Sequence, residues 1–363
     1  MTFIVVGAGV VGCAIAYELA ARGARVRVLD ARGSGQGATR ASAGILAPYI
    51  EGHSPALLQL GICSLDQYDA FVRRVAADAR RPIEYRRTGT LQVARTDAEA
   101  ERFPRQQLML AGLGTRADVL DGGDARRLEP ALAGDVRAAL LVPAQGYVRA
   151  VALTDALVTA ATSRGARVSV ARVERIGSTS GGVAVETADE TVAGDAVVLA
   201  AGSWSGGLQV GPTPAPVRPV RGQLVELRSP QPLLAHVVWG ADCYLVPWQD
   251  GRTLVGATVE EVGFDERVTG EAVGQLRAGA ERLVPALGRA AFEDARAGLR
   301  PGTPDELPII GASTTMRGVF YATGHYRNGV LLAPLTASLV ADLLLNGRAR
   351  AELSLVRPDR FGL

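Results

Sequence analysis

The chain has 363 residues, 48% of them hydrophobic and 21% charged, enough apolar material for a sizeable core in one large or two closely joined domains. Its 39 basic and 37 acidic residues leave a formal net charge of +2, and no dense basic block is present to follow a phosphate backbone, which argues against nucleic acid as a partner. Every basic residue in that count is Arg, so a Schiff-base or catalytic lysine and a Walker-type phosphate loop are excluded.

Residues 3–6 read as a strand, followed by a glycine-rich turn, a helix over 10–21 and a strand over 25–29. This βαβ opening commits the chain to the α/β class. Residues 55–79 read as mostly helical, 88–94 alternate like a strand, and helical segments follow up to Pro130. A helix over 151–163, a strand over 167–172, a hairpin at Ser180-Gly181-Gly182 and a buried strand over 196–200 return the chain to the first sheet. Pro212, Pro214, Pro216 and Pro219 mark an exit into a second, largely antiparallel sheet with strands over 220–227, 244–247 and 253–257. Residues 318–322 read as one more buried strand before a long C-terminal helix. The expectation is a Rossmann-like cofactor domain assembled from 1–81, 147–212 and 296–363, with an α+β substrate domain from 82–146 and 213–295.

Cys13, Cys63 and Cys243 are odd in number, far apart and in no metal-ligand pattern, so neither a disulfide framework nor a metal site is expected. A reducing cytoplasm fits this usage. The chain starts on an apolar strand with no basic leader, and nowhere are ~18 uncharged apolar residues contiguous. The apolar run 330–345 is interrupted by Asp342 and reads as a packed helix, so neither secretion nor a transmembrane segment is expected.

Gly7-Ala8-Gly9-Val10-Val11-Gly12 lies between a strand and a helix, where a G-x-G-x-x-G turn has a physical use. Gly7 permits the tight turn, Gly9 lets the backbone approach a pyrophosphate, and Gly12 allows close packing of helix on strand. The helix N-terminus adds N–H groups and the positive end of its dipole. Asp30 ends the next strand, about 20 residues on, where a carboxylate accepts ribose hydroxyls and disfavours a 2′-phosphate. The turn by itself does not separate NAD from FAD, since both present the same ADP moiety.

Three further segments do. Residues 40–48 (RASAGILAP), 197–205 (VVLAAGSWS) and 324–334 (GHYRNGVLLAP) resemble the flavin-contact segments of the FAD-dependent D-amino-acid oxidase family. Residues 297–305 (AGLRPGTPD) are similar to the segment that carries the substrate-binding Arg in its glycine oxidase branch, whose members feed an imine into thiazole synthesis for thiamine. With the N-terminal turn, these segments span the chain from start to finish. The resemblance implies non-covalent FAD, because no Cys stands in the region near Leu299 and Arg300 where related sarcosine oxidases attach their flavin. It places cofactor contacts at Gly7, Gly9, Val10, Val11, Gly12, Asp30, Ala31, Ala38, Thr39, Ala43, Gly44, Ile45, Val173 and Gly202, and along Gly324, His325, Tyr326, Arg327, Asn328, Gly329, Val330 and Leu331. Small residues over 38–45 let the backbone lie against the cofactor, and the last helix would aim its positive end at the flavin.

The same resemblance implies that Arg300 clamps the substrate carboxylate, with Tyr244 donating a further hydrogen bond and Arg327 touching both flavin and substrate. A guanidinium suits that task because its two parallel donors match a carboxylate. Hydride loss from a neutral amine asks for no protein base, so His53 and His236 receive no role and His325 belongs to the cofactor loop alone. In Gly256-Ala257-Thr258-Val259 the last position is often Met in glycine oxidases, and the smaller Val259 leaves room for side chains larger than that of glycine. The expected partners are a small amino acid (glycine, sarcosine, D-alanine or D-proline) and dioxygen. Two alternatives stay open: a dehydrogenase passing electrons to a quinone or partner protein, and a flavin-binding subunit without turnover. Whether the chain forms a homo-oligomer is also left open.

Overall fold

In the computed structural model, which describes residues 1–50 and 54–363, strand Thr2–Val6 lies near the middle of a six-stranded sheet. His53 lies outside the described residues. Arg25–Asp30 and Ala196–Leu199 flank the strand in parallel, with Arg167–Val170 beyond the former and Val319–Thr323 beyond the latter. Ile309–Ala312 closes the edge antiparallel. Phe3, Ile4 and Val5 are no more than 2% exposed, the uninterrupted apolar run of a strand covered on both faces.

One face carries helices Val10–Ala21, Ala150–Ser163 and Gly329–Asn346. The other is covered by a three-stranded antiparallel layer, Val173–Thr179, Gly182–Thr187 and Thr191–Gly194, whose Val183, Val185 and Val192 pack on Ile4, Val6 and Leu29. The Ser180-Gly181-Gly182 hairpin thus forms a layer of its own instead of joining the first sheet. The helical stretch 55–79 divides into Pro55–Leu65 and Tyr68–Ala79. Strand Asp118–Asp121 interrupts a region whose sequence reads as helical.

Helix Gly329–Asn346 is long and apolar enough to cross a membrane by composition, yet 61% of it is buried inside the protein, against helices Val10–Ala21 and Pro55–Leu65. Pro334 lies inside it and has no N–H for the carbonyl of Val330. The buried hydroxyl of Tyr68 donates to that carbonyl at 2.5 Å, and Ser64 Oγ donates to the carbonyl of Leu331 at 2.7 Å. The helix therefore keeps its proline without an orphaned acceptor.

The second unit is an eight-stranded sheet. Arg218–Arg228 pairs antiparallel with Arg252–Gly256 on one side and with Ala291–Gly302 on the other. Tyr244–Pro247, Val237–Trp239, Thr90–Ala94, Ala138–Val142 and Asp118–Asp121 continue it, and all of its pairings are antiparallel except that of Val237–Trp239 with Thr90–Ala94. One face packs on helix Gly270–Leu283 through Val225, Leu245, Val255, Leu276 and Leu283. The other looks toward the first unit. The boundary expected at 295/296 falls inside strand Ala291–Gly302, whose pairing with Arg218–Arg228 continues across it from Asp294 to Gly302.

The loop before the last helix is tied down from inside. His325 is 3% exposed and its Nε2 lies 3.0 Å from Thr336 Oγ1, two turns along that helix. Burial pushes its pKa down from 6.5 to about 3. In the unfolded chain the same ring takes up a proton near pH 6.5, so its contribution to stability is fully present above that pH and is lost as pH falls, by about 1.4 kcal/mol per unit, until about pH 3. His325→Gln keeps a polar group for Thr336 and removes the titration. The gap in unfolding free energy between pH 7 and pH 5, read from urea melts, is expected to shrink by roughly 2 kcal/mol in this variant. An unchanged gap would mean that the imidazole is not held neutral.

Candidate cofactor and substrate site

A cavity of about 470 Å³ runs between the carboxyl ends of the six-stranded sheet and the inner face of the eight-stranded one. At its first end, Gly7 has φ +108°, and a Cβ there would stand 2.3 Å from the carbonyl oxygen of Ala200. A side chain at Gly12 would meet the carbonyl of Gly7 at 2.0 Å. Both glycines let helix Val10–Ala21 start directly on the strand ends. Gly9 caps that helix without a side chain, and the N–H of Val10 donates to Thr39 Oγ1 at 3.0 Å. This bond brings the small-residue segment 38–45 under the helix N-terminus. Gly44 extends the same economy of space: its φ is +67°, and a Cβ would collide with the carbonyl of Val148 at 1.7 Å.

Asp30 is held by two backbone amides, Ala8 N–H at 2.7 Å on Oδ2 and Arg32 N–H at 2.8 Å on Oδ1. Each oxygen has a second acceptor direction, and the residue lines the cavity together with Ala31 and Val173. A narrow backbone cradle, a helix N-terminus and a fixed carboxylate are the features that suit the pyrophosphate and ribose of a dinucleotide. The residues present therefore fit FAD. Val11, Ala38, Ala43, Ile45 and Gly202 line the same wall, as do His325, Tyr326, Arg327, Asn328, Gly329, Val330 and Leu331 at the start of the last helix. Gly12 and Gly324 do not line the cavity. Gly12 serves helix packing, and Gly324, at φ +74° with Thr303 Cγ2 only 2.5 Å from a hypothetical Cβ, serves the turn.

The other end belongs to the second sheet. The guanidinium of Arg300 lies over Gly222, where a Cβ would come within 2.2 Å of Nη2, and Nη1 donates to the carbonyls of Arg221 at 3.2 Å and Thr258 at 3.0 Å. Gly222 sits opposite Gly298 in the ladder, one diagonal step from Arg300, so two glycines leave this patch of the sheet open for a flat cation. Ser203 Oγ donates to the carbonyl of Leu299 at 2.9 Å, tying the strand to the cofactor wall.

Tyr244 sits opposite Gly256 in register, and its ring covers that glycine, with the hydroxyl 2.4 Å from where a Cβ would stand. Trp239, its partner on the other side, packs against it at 5.0 Å between ring centroids. Arg300, Tyr244 and Arg327 all line the one cavity. Arg327 is exposed at its rim, with its guanidinium 5.2 Å from the ring of Tyr326.

Sequence reading passed over Trp239 and Arg32, which also line the cavity. Arg32 stands two residues after Asp30, a spacing that could have marked it, whereas Trp239 is placed only by its register opposite Tyr244. Among the described residues no cluster of three or more His, Cys, Asp or Glu is arranged to hold a metal. His236 is outside the cavity, its Nδ1 2.6 Å from Glu129 Oε1. Cys243 lines the cavity, and burial pushes its thiol up to about 12, so it is protonated at neutral pH.

Residues 2–343 match the family model described as FAD dependent oxidoreductase. The chain is 38% identical over 346 residues to a glycine oxidase of Geobacillus kaustophilus, covering 94% of this chain and 92% of that one. It is 36% identical to the bifunctional protein ThiO/ThiG of Synechocystis sp., covering 99% of this chain and 54% of that longer protein. The crystal structure of glycine oxidase from Geobacillus kaustophilus aligns with a TM-score of 0.91 at 36% identity, over 98% of each chain. A cradle that fits a dinucleotide, a guanidinium and a phenol at its far end, and a family match over almost the entire length lead to one conclusion: the chain belongs to the D-amino-acid oxidase family of FAD-dependent oxidoreductases, as an enzyme of the amino-acid oxidase type.

Proposed function

We propose that the protein oxidises glycine or another small amino acid, with sarcosine, D-alanine and D-proline as the nearest candidates, giving an imino acid and hydrogen peroxide; hydrolysis of the imine yields the oxo acid with ammonia from glycine or D-alanine and with methylamine from sarcosine, while the cyclic imine of D-proline keeps its nitrogen. The observation that carries this reading is the pairing of Arg300 over Gly222 with Tyr244 over Gly256, on the cavity face opposite the dinucleotide cradle. FAD, when bound, supplies the acceptor for the hydride of the substrate Cα–H and passes the electrons to dioxygen.

The chain's own groups bind and orient. Arg300 receives the substrate carboxylate through paired N–H donors, and the carbonyls of Arg221 and Thr258 hold the guanidinium in plane. Tyr244 donates its O–H to the same carboxylate. Arg327 at the rim adds a second positive charge that favours an anionic end group. No side-chain base is assigned, because the amine loses its proton before the C–H bond breaks, and neutral His325 is engaged with Thr336. Val259 lines the cavity at 51% exposure and leaves its mouth open beyond the size of glycine.

The free thiols of Cys13, Cys63 and Cys243 fit a cytoplasmic setting, and the likeness to the ThiO/ThiG protein supports a place in thiamine synthesis. Anaerobic addition of glycine, sarcosine, D-alanine and D-proline to the yellow protein tests the reading. Bleaching by at least one, followed by rapid recolouring in air with peroxide, is the expected result. Slow recolouring in air would indicate a dehydrogenase, and no bleaching by any amino acid would remove the proposal.

Replacing Arg300 by Ala is expected to leave the cofactor bound while lowering kcat/KM by the equivalent of roughly 2–5 kcal/mol, the usual result of truncating one side of a desolvated charge pair. Unchanged kinetics would take Arg300 out of the site. Gly222→Ala probes the same geometry without removing the charge. Its methyl group displaces the guanidinium, so KM should rise with FAD content unaltered. Asp30→Ala, by contrast, should lower FAD content at purification, and a fully loaded variant would contradict its role at the ribose.

A further inference from the structure

Residues 257–269 join strand Arg252–Gly256 to helix Gly270–Leu283 and belong to the second sheet by sequence. They are anchored there at Glu260 and again at Asp265, between Phe264 and Glu266. The backbones of Arg221 and Glu260 exchange hydrogen bonds at 2.9 and 3.0 Å, and the guanidinium of Arg221, 6% exposed, reaches Asp265 at 3.0 Å. The tip of the loop, however, crosses to the first unit.

Phe264 packs on Trp204 with 5.8 Å between ring centroids, Arg32 lies over the same indole at 4.2 Å, and Glu266 pairs with Arg32 at 2.7 Å. Arg32 and Trp204 both line the cavity, and the N–H of Arg32 donates to Asp30. An unbroken set of contacts thus leads from the carboxylate at the ribose end of the cradle, through Arg32 and Trp204 in the cavity wall, to the loop of the opposite sheet.

We propose that this loop is a clasp that retains the adenosine diphosphate half of FAD and must open for the cofactor to enter or leave. The composition of the contact suits opening. Phe264 is 55% exposed, and the side chains of Arg32 and Glu266 are 38% and 32% exposed. The two contacts that cross to the first unit, a half-solvated tilted ring pair and a screened surface ion pair, break at little cost, while Asp265 between them stays on the buried guanidinium of Arg221. Four exposed apolar side chains in the loop region, Val259, Val262, Phe264 and Val268, are otherwise unusual for a segment so open to water. The stack on Trp204 gives Phe264 its use.

The inference rests on the FAD cleft and not on the substrate, so a chain that fails every bleaching test still reports on it. Holoprotein is diluted, samples are passed through an ultrafiltration membrane over time, and free FAD in the filtrate gives the release rate. Phe264→Ala is expected to speed release by roughly tenfold, and Phe264→Tyr, which keeps the stack, to restore the slow rate. Glu266→Gln should speed release at low salt, with the difference from the parent protein vanishing at high salt. Release from Phe264→Ala within twofold of the parent protein, with the variant folded by circular dichroism, would overturn the clasp.

Discussion

A cation that is to stay available at a cavity wall must be held still without being neutralised. Arg300 is anchored through Nη1 to two backbone carbonyls, Arg221 O and Thr258 O, and such acceptors fix a guanidinium plane while carrying no net charge. The anchor works only because the sheet beneath is bare. Gly222 and Gly298 face each other in the ladder, and any side chain at Gly222 would occupy the volume of the guanidinium. Tyr244 repeats the device over Gly256 two strands away. The Arg300 end of the cavity is thus built from long polar side chains laid flat over glycines, a solution that gives rigidity by close approach of backbone.

The dinucleotide end obeys the same rule by other means. Gly7 and Gly44 take positive φ and bring backbone within contact of Ala200 and Val148, so the wall is main chain, rich in N–H groups and thin. The final helix completes it. Its first turn lines the cavity while its middle is locked by Tyr68, Ser64 and the Thr336–His325 contact. Pro334 is tolerated because Tyr68 supplies the donor that proline lacks, which links the placement of the cofactor loop to a buried tyrosine far from it in sequence.

Much of this was legible in the sequence, and the pattern of what was not is physical. The glycine-rich turn, Asp30 and the helix over 10–21 announce themselves because local spacing alone defines them. Arg300 and Tyr244 stood out through the segments around them. Strand Ala291–Gly302 did not, since its alternation is blurred by Ala, Arg and Gly, and its edge position leaves one side half-exposed. Gly222 and Gly256 looked like ordinary strand glycines, because the side chains above them come from other strands and register is a tertiary fact. The same holds for Trp204 and Phe264, sixty residues apart, whose meeting no local pattern encodes.

One buried group joins the two ends of the site. The guanidinium of Arg221 shapes the loop 257–269 through Glu260 and Asp265, and its carbonyl, with that of Thr258 at the root of the loop, holds Arg300. The tip of that loop rests on Trp204 and Arg32, next to the carboxylate of Asp30. The carbonyl that helps hold Arg300 and the contacts on Trp204 and Arg32 therefore come from one segment. Its contacts to the second sheet are buried and multiply bonded, at Glu260 and at Asp265, while its contacts to the first unit, through Phe264 and Glu266, are exposed and weak. The contacts to the first unit can therefore break while Asp265 stays on Arg221 and the carbonyls that aim Arg300 stay in place.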